Sequence, residues 1–236
     1  MAYDVPLIRF ETKDHMAERL ADAIEARLSA AISEKGTASI ALSGGSTPAP
    51  LYRALAGRGI DWSKVTALLV DERWVAPGQS GSNETFLTET FLEAGAGAVR
   101  YLSLYTGDAT PSEGLETAQA RLAGTDWPLD VVVLGMGPDG HTASWFPRAE
   151  GLDGALSSGS NLAAVTAHKS AVTGDQLMRI TLTLNAVASA KSLFLMMSGA
   201  AKENTFHEAR GGGPVADMPV RALFEARPDV WATWCP

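Results

Sequence analysis

The chain has 236 residues, 46% of them hydrophobic and 19% charged, with a formal net charge of −8 at pH 7. This length is enough to bury one sizeable core but short for two enzyme domains, so we predict a single domain over residues 1–236. The acidic balance, without a basic stripe, excludes a general nucleic-acid binder, and no apolar run of about 20 residues predicts a membrane span.

Helical and strand-like patterns alternate along the chain. Residues 13–32 place apolar side chains four positions apart, which predicts an amphipathic helix with one buried face. Short uninterrupted apolar runs predict buried strands at 38–42, 65–70, 130–135, 192–197 and 230–234, with a weaker candidate at 161–167. Further helices are predicted from Pro48 to Gly57 and at 83–94, 113–124, 183–191 and 200–209, and loops at 76–83, 147–160 and 210–219.

Apolar strands separated by helices are typical of a sheet that is covered on both faces. We therefore predict an α/β fold, a three-layer sandwich with a mostly parallel central sheet. Ligands of such folds bind at the carboxyl ends of the strands. Four predicted strands end in polar or glycine-rich sequence, at 43–48, 71–75, 135–147 and 198–202, which predicts one composite site.

The first of these segments reads Ser43-Gly44-Gly45-Ser46-Thr47 and lies between a strand and a helix. Its two glycines allow a tight turn and a close approach to a ligand. The hydroxyls and the free N–H groups of the following helical turn could hold a phosphate, which the helix dipole favours. A plain strand-to-helix turn with a capping hydroxyl explains this motif equally well.

Charged residues follow the second and fourth strands. Arg73 could contact phosphate oxygens with two N–H groups, and Asp71 could hold a sugar hydroxyl, accept a proton or orient a neighbour. Lys202, in the first turn of a predicted helix, could reach an anion, and Arg179 could add another cation. Each of these residues also has a non-functional explanation. Asp71 and Arg73 could form a solvated charge cluster, Lys202 could be a surface lysine, and Arg179 could be structural.

The segment 135–144 carries three glycines in six residues directly after a strand. His141 stands there beside Asp139, at the start of a possible short helix, and is the candidate general base among the four histidines. Backbone N–H groups of residues 135–140 could stabilise an oxyanion. A serine nucleophile is disfavoured because the chain lacks a G-x-S-x-G elbow.

The single cysteine, Cys235, has no partner for an internal disulfide, and its place beside the C-terminus predicts an incidental residue rather than a buried nucleophile. Asp139 and His141 could ligate an ion, but no third and fourth ligand stands at a supporting spacing, so we predict no metal site. The N-terminal segment lacks the apolar run of a signal peptide, and we expect a cytoplasmic location.

Together these motifs resemble the 6-phosphogluconolactonase family in order and spacing over most of the chain. The resemblance includes Ser82-Asn83 and the segment Arg179 to Thr183. The GMG-x-DGHTAS block is highly specific, whereas SGGSTP is shared with related sugar-phosphate isomerases. Trp145 stands where leucine is more usual, and we expect this difference to affect packing only. The resemblance implies the Rossmann-like sugar-phosphate isomerase type of fold.

The resemblance further implies hydrolysis of 6-phospho-D-glucono-1,5-lactone to 6-phosphogluconate in the oxidative pentose phosphate pathway, without a cofactor. His141 would activate a water molecule, and residues 43–47, Arg73 and Lys202 would hold the phosphate. Whether Asp139 or Asp71 assists His141 is left open. Because His141 must be neutral to act as a base, activity should fall in mild acid. The expected partner is the sugar-phosphate lactone alone, bound by a monomer or weak homo-oligomer.

Two other functions compete with this interpretation. Glucosamine-6-phosphate deaminase shares the fold and the Asp-Gly-His element, but in that family a glutamate follows the histidine shortly. Here residues 144–147 read Ser-Trp-Phe-Pro and contain no carboxylate, which favours the lactonase. A non-catalytic sugar-phosphate sensor would carry an N-terminal helix-turn-helix domain, for which the predicted core strand at 38–42 leaves no room.

Overall fold

The computed structural model describes residues 2–236. The helices are α1 (Lys13–Lys35), α2 (Ala49–Ala56), α3 (Asn83–Leu87), α4 (Pro111–Leu122), α5 (Leu152–Ser157), α6 (Leu184–Ala188), α7 (Ala200–Arg210) and α8 (Val220–Ala226). The strands are β1 (Leu7–Arg9), β2 (Ala38–Leu42), β3 (Val65–Leu69), β4 (Asp71–Arg73), β5 (Arg100–Leu102), β6 (Val131–Gly135), β7 (Leu162–Thr166), β8 (Met178–Leu182), β9 (Ser192–Ser198) and β10 (Trp231–Cys235). A 3₁₀ turn covers Trp62–Lys64, and a π-helix covers Thr88–Ala96.

The central sheet has seven strands in the order β1-β10-β9-β6-β2-β3-β5. Every neighbouring pair is parallel, which confirms the predicted α/β class with a mostly parallel sheet. From β2 the chain adds β3 and β5 on one side, and from β6 it adds β9 and β10 on the other. The winding therefore reverses between β2 and β6, and the carboxyl ends of these two strands border the crevice where such folds bind ligands.

A second, antiparallel sheet of three strands, in the order β4-β8-β7, lies beside the central one. Val70 joins the two sheets, because its N–H donates to Leu42 of β2 and its carbonyl accepts from Leu182 of β8. The Asp71–Arg73 segment is therefore itself a strand, with Asp71 opposite Thr181 and Arg73 opposite Arg179. The weaker candidate at 161–167 is confirmed as a strand, β7, but it belongs to this small sheet.

The core strands and α1 form for the reasons that the sequence indicates. All five residues of β2 are buried, as are the first four of β6. Helix α1 begins after Thr12, whose hydroxyl accepts the N–H of His15, and extends three residues beyond the predicted end to Lys35. Its buried stripe contains Met16, Leu20, Ile24 and Leu28, which lie four residues apart and pack into the core.

Several sequence predictions were wrong in detail. The predicted loop 147–160 contains the short helix α5, and residues after His141 form turns and isolated bridges rather than a short helix. The predicted helix 83–94 is divided into α3 and the π-helix. Cys235 ends β10 and is fully buried, because the C-terminal strand lies inside the sheet between β1 and β9. No helix within residues 2–236 is long and apolar enough to cross a membrane.

Candidate active site

A pocket of about 280 Å³ opens where β2 and β6 end, beside the small sheet. Its lining includes every sequence-predicted site residue except Asp139, which lies directly behind His141. These residues come from the four strand ends named above and from β8. They are Ser43, Gly44, Gly45, Ser46, Thr47, Asp71, Arg73, His141, Arg179 and Lys202.

His141 and Asp139 form a close pair. The Nδ1 atom of His141 lies 2.5 Å from Oδ1 of Asp139, which also accepts the backbone N–H of His141 at 3.2 Å. The imidazole packs against the ring of Phe146, with 4.5 Å between the ring centroids. Since Nδ1 faces a carboxylate, Nε2 is the ring nitrogen left for a ligand in the pocket.

The Asp139 carboxyl is held in its ionised form. Burial alone would raise its pKa, but the hydrogen bond and the charge of His141 outweigh burial and lower the pKa below its ordinary value. Asp139 therefore stays negative throughout the pH range in which a histidine titrates. The pair has the arrangement in which a carboxylate fixes the tautomer of a basic imidazole.

The segment 43–47 offers unpaired donors to the pocket. Within residues 2–236, the N–H groups of Gly44, Gly45, Ser46 and Thr47 have no protein acceptor. The Oγ atom of Ser43 is buried and also lacks a hydrogen-bond partner. Several donors that converge on one small space are the usual feature of an anion site at the start of a helix, here α2.

Three cations face the same pocket. In the described part of the chain, Arg73, Arg179 and Lys202 have no carboxylate within salt-bridge distance. Burial lowers the pKa of Arg179 to about 10 and lowers that of Lys202. Arg73 and Arg179 are direct cross-strand partners, a like-charge pair that destabilises a sheet unless an anion lies between them. The chain carries a net charge of −8, so this concentration of positive charge predicts an anionic ligand.

Asp71 connects the small sheet with the segment that carries His141. It is 7% exposed, and its Oδ2 atom accepts the hydroxyl of Ser144 at 2.5 Å. The backbone N–H of Ser144 donates in turn to Oγ1 of Thr181 on β8 at 3.2 Å. Asp71 is therefore a fixed acceptor in the pocket wall rather than a solvated charge.

The sequence did not single out Asn83, Phe146 or Val172 as site residues, but all three line the pocket. Asn83 belongs to a recognised motif, yet its contacts arise only once β4 and α3 have folded together. Phe146 follows the His141 segment and looks like an ordinary core residue. Val172 lies between β7 and β8 and carries no sequence signal.

The predicted oxyanion donors are only partly available. The N–H of Gly137 donates to the carbonyl of His141, and the N–H of Gly140 donates to the carbonyl of Gly137. These two groups close the turn itself and are not free to stabilise an oxyanion, so that role stays a prediction for the other N–H groups of residues 135–140. Within residues 2–236, no group of three or more His, Cys, Asp or Glu side chains is placed to hold a metal ion.

Trp145 is fully buried next to the site. Its Nε1 atom donates to the carbonyl of Leu182 at the end of β8, 2.9 Å away. The indole thus adds a hydrogen bond between the His141 segment and the small sheet, as well as filling space. A leucine at this position would supply only the packing.

Several known proteins are similar to this chain in sequence and in structure. The sequence profile of the family described as glucosamine-6-phosphate isomerases/6-phosphogluconolactonase matches residues 11–233. A 6-phosphogluconolactonase of Rhizobium meliloti is 41% identical over 228 residues, or 96% of this chain and 97% of that protein. A 6-phosphogluconolactonase of Mesorhizobium japonicum is 39% identical over 228 residues, which is 96% of this chain and 94% of that protein.

A solved structure of similar shape comes from Shewanella baltica. This 6-phosphogluconolactonase superposes with a TM-score of 0.94 at 33% sequence identity, and the match covers 100% of both chains. The family profile covers residues 11–233, and the two named sequence relatives each align with 96% of this chain. The chain belongs to the glucosamine-6-phosphate isomerase/6-phosphogluconolactonase family.

Proposed function

We propose that this protein hydrolyses 6-phospho-D-glucono-1,5-lactone to 6-phosphogluconate, the lactonase step of the oxidative pentose phosphate pathway. The observation that carries the proposal is the pairing of a basic imidazole with a separate anion site in one pocket. His141 and Asp139 lie on one side, and Arg73, Arg179 and Lys202 supply unpaired positive charge. The named relatives support the same reaction.

In the proposed mechanism His141 acts as the general base. Its Nδ1–H donates to Asp139, so the lone pair on Nε2 accepts a proton from water while the water oxygen bonds to the lactone carbonyl carbon. The resulting tetrahedral intermediate collapses as the bond between that carbon and the ring oxygen breaks. His141 returns its proton to the ring oxygen, and the new carboxylic acid releases its own proton to solvent.

The phosphate would bind to the cations and to the donors of residues 43–47. Arg73 keeps Nε and Nη2 free of protein acceptors, whereas Arg179 already uses its Nε and Nη2 atoms for the carbonyls of Gln176 and Thr173. Arg73 is therefore the residue able to contact two phosphate oxygens at once, and Arg179 contributes one nitrogen, Nη1. Asp71 is assigned to a substrate hydroxyl, because Asp139 is the carboxylate that contacts His141.

The deaminase alternative finds no support in this pocket. The family description covers both activities, so the difference must come from the residues themselves. The segment that follows His141 places Ser144 on Asp71 and Phe146 on the imidazole, and no carboxylate lies among residues 144–147. A single domain over residues 1–236, a cytoplasmic location and a monomer or weak homo-oligomer remain predictions from the sequence.

The proposal is tested with lactone generated in place by oxidation of glucose 6-phosphate. Acid release above the spontaneous rate is compared for the unmodified protein, His141→Ala and His207→Ala. His207 is exposed on α7 and serves as a matched control. We expect His141→Ala to lower kcat by about 10²- to 10⁴-fold, the usual contribution of a positioned base, and His207→Ala to retain full activity.

Two results would contradict this assignment in different ways. Full activity in His141→Ala would keep the lactonase and move the base to another residue. No acid release above background by the unmodified protein would reject the lactonase function itself. Release of ammonia from glucosamine 6-phosphate would then identify the deaminase.

A further inference from the structure

Asn83 lies between strand β4 and the segment of residues 43–47, which line two sides of the pocket. It is 3% exposed, and its side-chain amide uses both of its ends. The Nδ2 group donates to the backbone carbonyl of Asp71 at 2.8 Å, and Oδ1 accepts from Nη1 of Arg73 at 2.6 Å. One amide thus holds the backbone of Asp71, the first residue of β4, and the charged group of Arg73, its last residue.

These contacts leave one edge of the Arg73 guanidinium open. Nη1 has two hydrogens, and they are directed to Oδ1 of Asn83 and to the carbonyl of Gly81, 2.8 Å away. Within residues 2–236, Nε and Nη2 have no acceptor. The same edge of another arginine, Arg227, binds an anionic group with two hydrogen bonds. Its Nε and Nη2 atoms each donate to one carboxylate oxygen of Asp229 at 2.8 Å.

The Asn83 amide also lies directly against the segment of residues 43–47. A Cβ at residue 44 would overlap the Asn83 side chain, so Gly44 is required for this approach. Gly44 therefore has a second role besides allowing the chain to turn after β2. It lets Asn83 reach across from α3 and couple the position of Arg73 to that of the 43–47 segment.

Glu72 fixes the backbone from which Asn83 projects. The buried carboxylate accepts the N–H groups of Asn83 and Glu84 and the hydroxyl of Ser82, at distances between 2.7 and 3.1 Å. Three atoms in the first turn of α3 and just before it are thereby tied to strand β4. The amide of Asn83 has little freedom to rotate away from Arg73.

We propose that Asn83 is a positioning residue for substrate binding, whose amide holds Arg73 so that its Nε–Nη2 edge receives the substrate phosphate. The inference rests on the proposed function, since it assumes a phosphorylated ligand. Asn83 acts through Arg73 and does not touch the reacting carbonyl. Its loss affects the affinity for the ligand and leaves the base, His141, in place.

The test is a double-mutant cycle on binding of the product, 6-phosphogluconate, measured by calorimetry. The proteins are the unmodified chain, Asn83→Ala, Arg73→Ala and the double variant. We expect Asn83→Ala to raise Kd by about 10-fold and to raise it by less than about 2-fold when Arg73 is already alanine, since coupled residues are not additive. With substrate, Asn83→Ala should raise KM by a similar factor and keep kcat within about 2-fold.

Asn83→Ser is the second variant, because a buried alanine there could impair folding, and serine keeps a small polar side chain at this position. Asn185→Ala is the matched control, since its exposed amide also donates to a backbone carbonyl but lies outside the pocket. An unchanged Kd in both Asn83 variants would overturn the proposal. So would an equal loss of affinity in the Arg73→Ala background, or a loss of binding stoichiometry with Kd unchanged, which marks a merely structural role.

Failure of the proposed function gives a different result. If the unmodified protein did not bind 6-phosphogluconate, the lactonase assignment and this inference would both fall. If it did bind and the Asn83 variants bound equally well, only the role of Asn83 would be rejected.

Discussion

The imidazole of His141 packs directly on the backbone of Gly137. A Cβ at residue 137 would overlap the Cε1 and Nδ1 atoms of His141 and lie 2.7 Å from Oδ1 of Asp139. The added Cβ would collide with the hydrogen-bonded side chains of His141 and Asp139, which cannot move aside without breaking that hydrogen bond. The glycine is therefore part of what positions the base.

Gly137→Ala tests this dependence. We expect kcat to fall by about 100-fold, because a displacement on the order of 1 Å at a catalytic group has effects of this size, while KM changes little. Steady-state kinetics measure both, and circular dichroism verifies the fold. Gly154→Ala is the matched control, since its Cβ meets nothing within 4 Å and should leave kcat unaltered. An unchanged kcat in Gly137→Ala would mean that the His141–Asp139 pair is free to shift.

Single residues were predicted from the sequence when a motif carried them. Asp139 and His141 are two positions apart, so their contact is local and could be inferred. The contacts of Asn83 could not, because Arg73 reaches it across a turn and Gly44 reaches it from another strand end. Such contacts depend on how β4 bends away from β3, and no spacing in the sequence records that bend.

Among the elements, those buried on both faces were predicted best. The strands β2, β6 and β9 are mostly apolar runs, and their pattern identifies them directly. Strand β4 is three charged residues long and was interpreted only as a strand end. Its strand conformation is set by pairing with β8, and a tertiary contact of this kind overrides local propensity.

The amino end of β6 is joined to its neighbours by a buried carboxylate. Asp130 is 2% exposed and lies 3.0 Å from the ammonium groups of both Lys35 and Lys191. It also accepts the backbone N–H of Ser39 on β2 at 2.9 Å. One side chain thus connects the end of α1, the start of β2 and the start of β9, at the end of the sheet opposite to the pocket.

Asp130→Asn should lower the free energy of unfolding by about 2 to 4 kcal/mol at pH 7, because it removes charge-assisted hydrogen bonds from a buried position. Urea unfolding measures the change. Asp126→Asn is the control, since Asp126 lies 3.7 Å from the same Lys35 but is 60% exposed, and its change should stay below about 1 kcal/mol. Equal changes in the two variants would show that burial of Asp130 is unimportant.

The contribution of Asp130 should also depend on pH. Burial raises the pKa of its carboxyl, but the hydrogen bonds from Lys191, Lys35 and Ser39 outweigh burial and lower the pKa below its ordinary value. A lowered pKa in the folded state means that the stabilisation is complete above the unfolded pKa and is lost as pH falls through the folded one. The difference between the unmodified protein and Asp130→Asn should therefore shrink below about pH 4.

For the whole molecule, the topology decides where the pocket lies. The reversal of winding between β2 and β6 separates the helices that follow these strands and opens a crevice at their carboxyl ends. This edge could be predicted from the sequence, because polar segments follow four of the strands. The small antiparallel sheet, which supplies Asp71, Arg73 and Arg179 and forms the opposite wall, could not. The pocket thus lies between two sheets that meet at Val70.

A ligand that contacts both walls should stabilise the whole fold. Because 6-phosphogluconate would bind the folded chain and not the unfolded one, a concentration of 100 times Kd should add about 2.7 kcal/mol to the free energy of unfolding and raise Tm. Gluconate, which lacks the phosphate, should have little effect at the same concentration, and Arg73→Ala should greatly reduce the response to 6-phosphogluconate. Thermal unfolding with each ligand measures the difference. Equal stabilisation by both ligands would mean that the cations of the small sheet do not bind the phosphate, and that the pocket recognises the sugar acid alone.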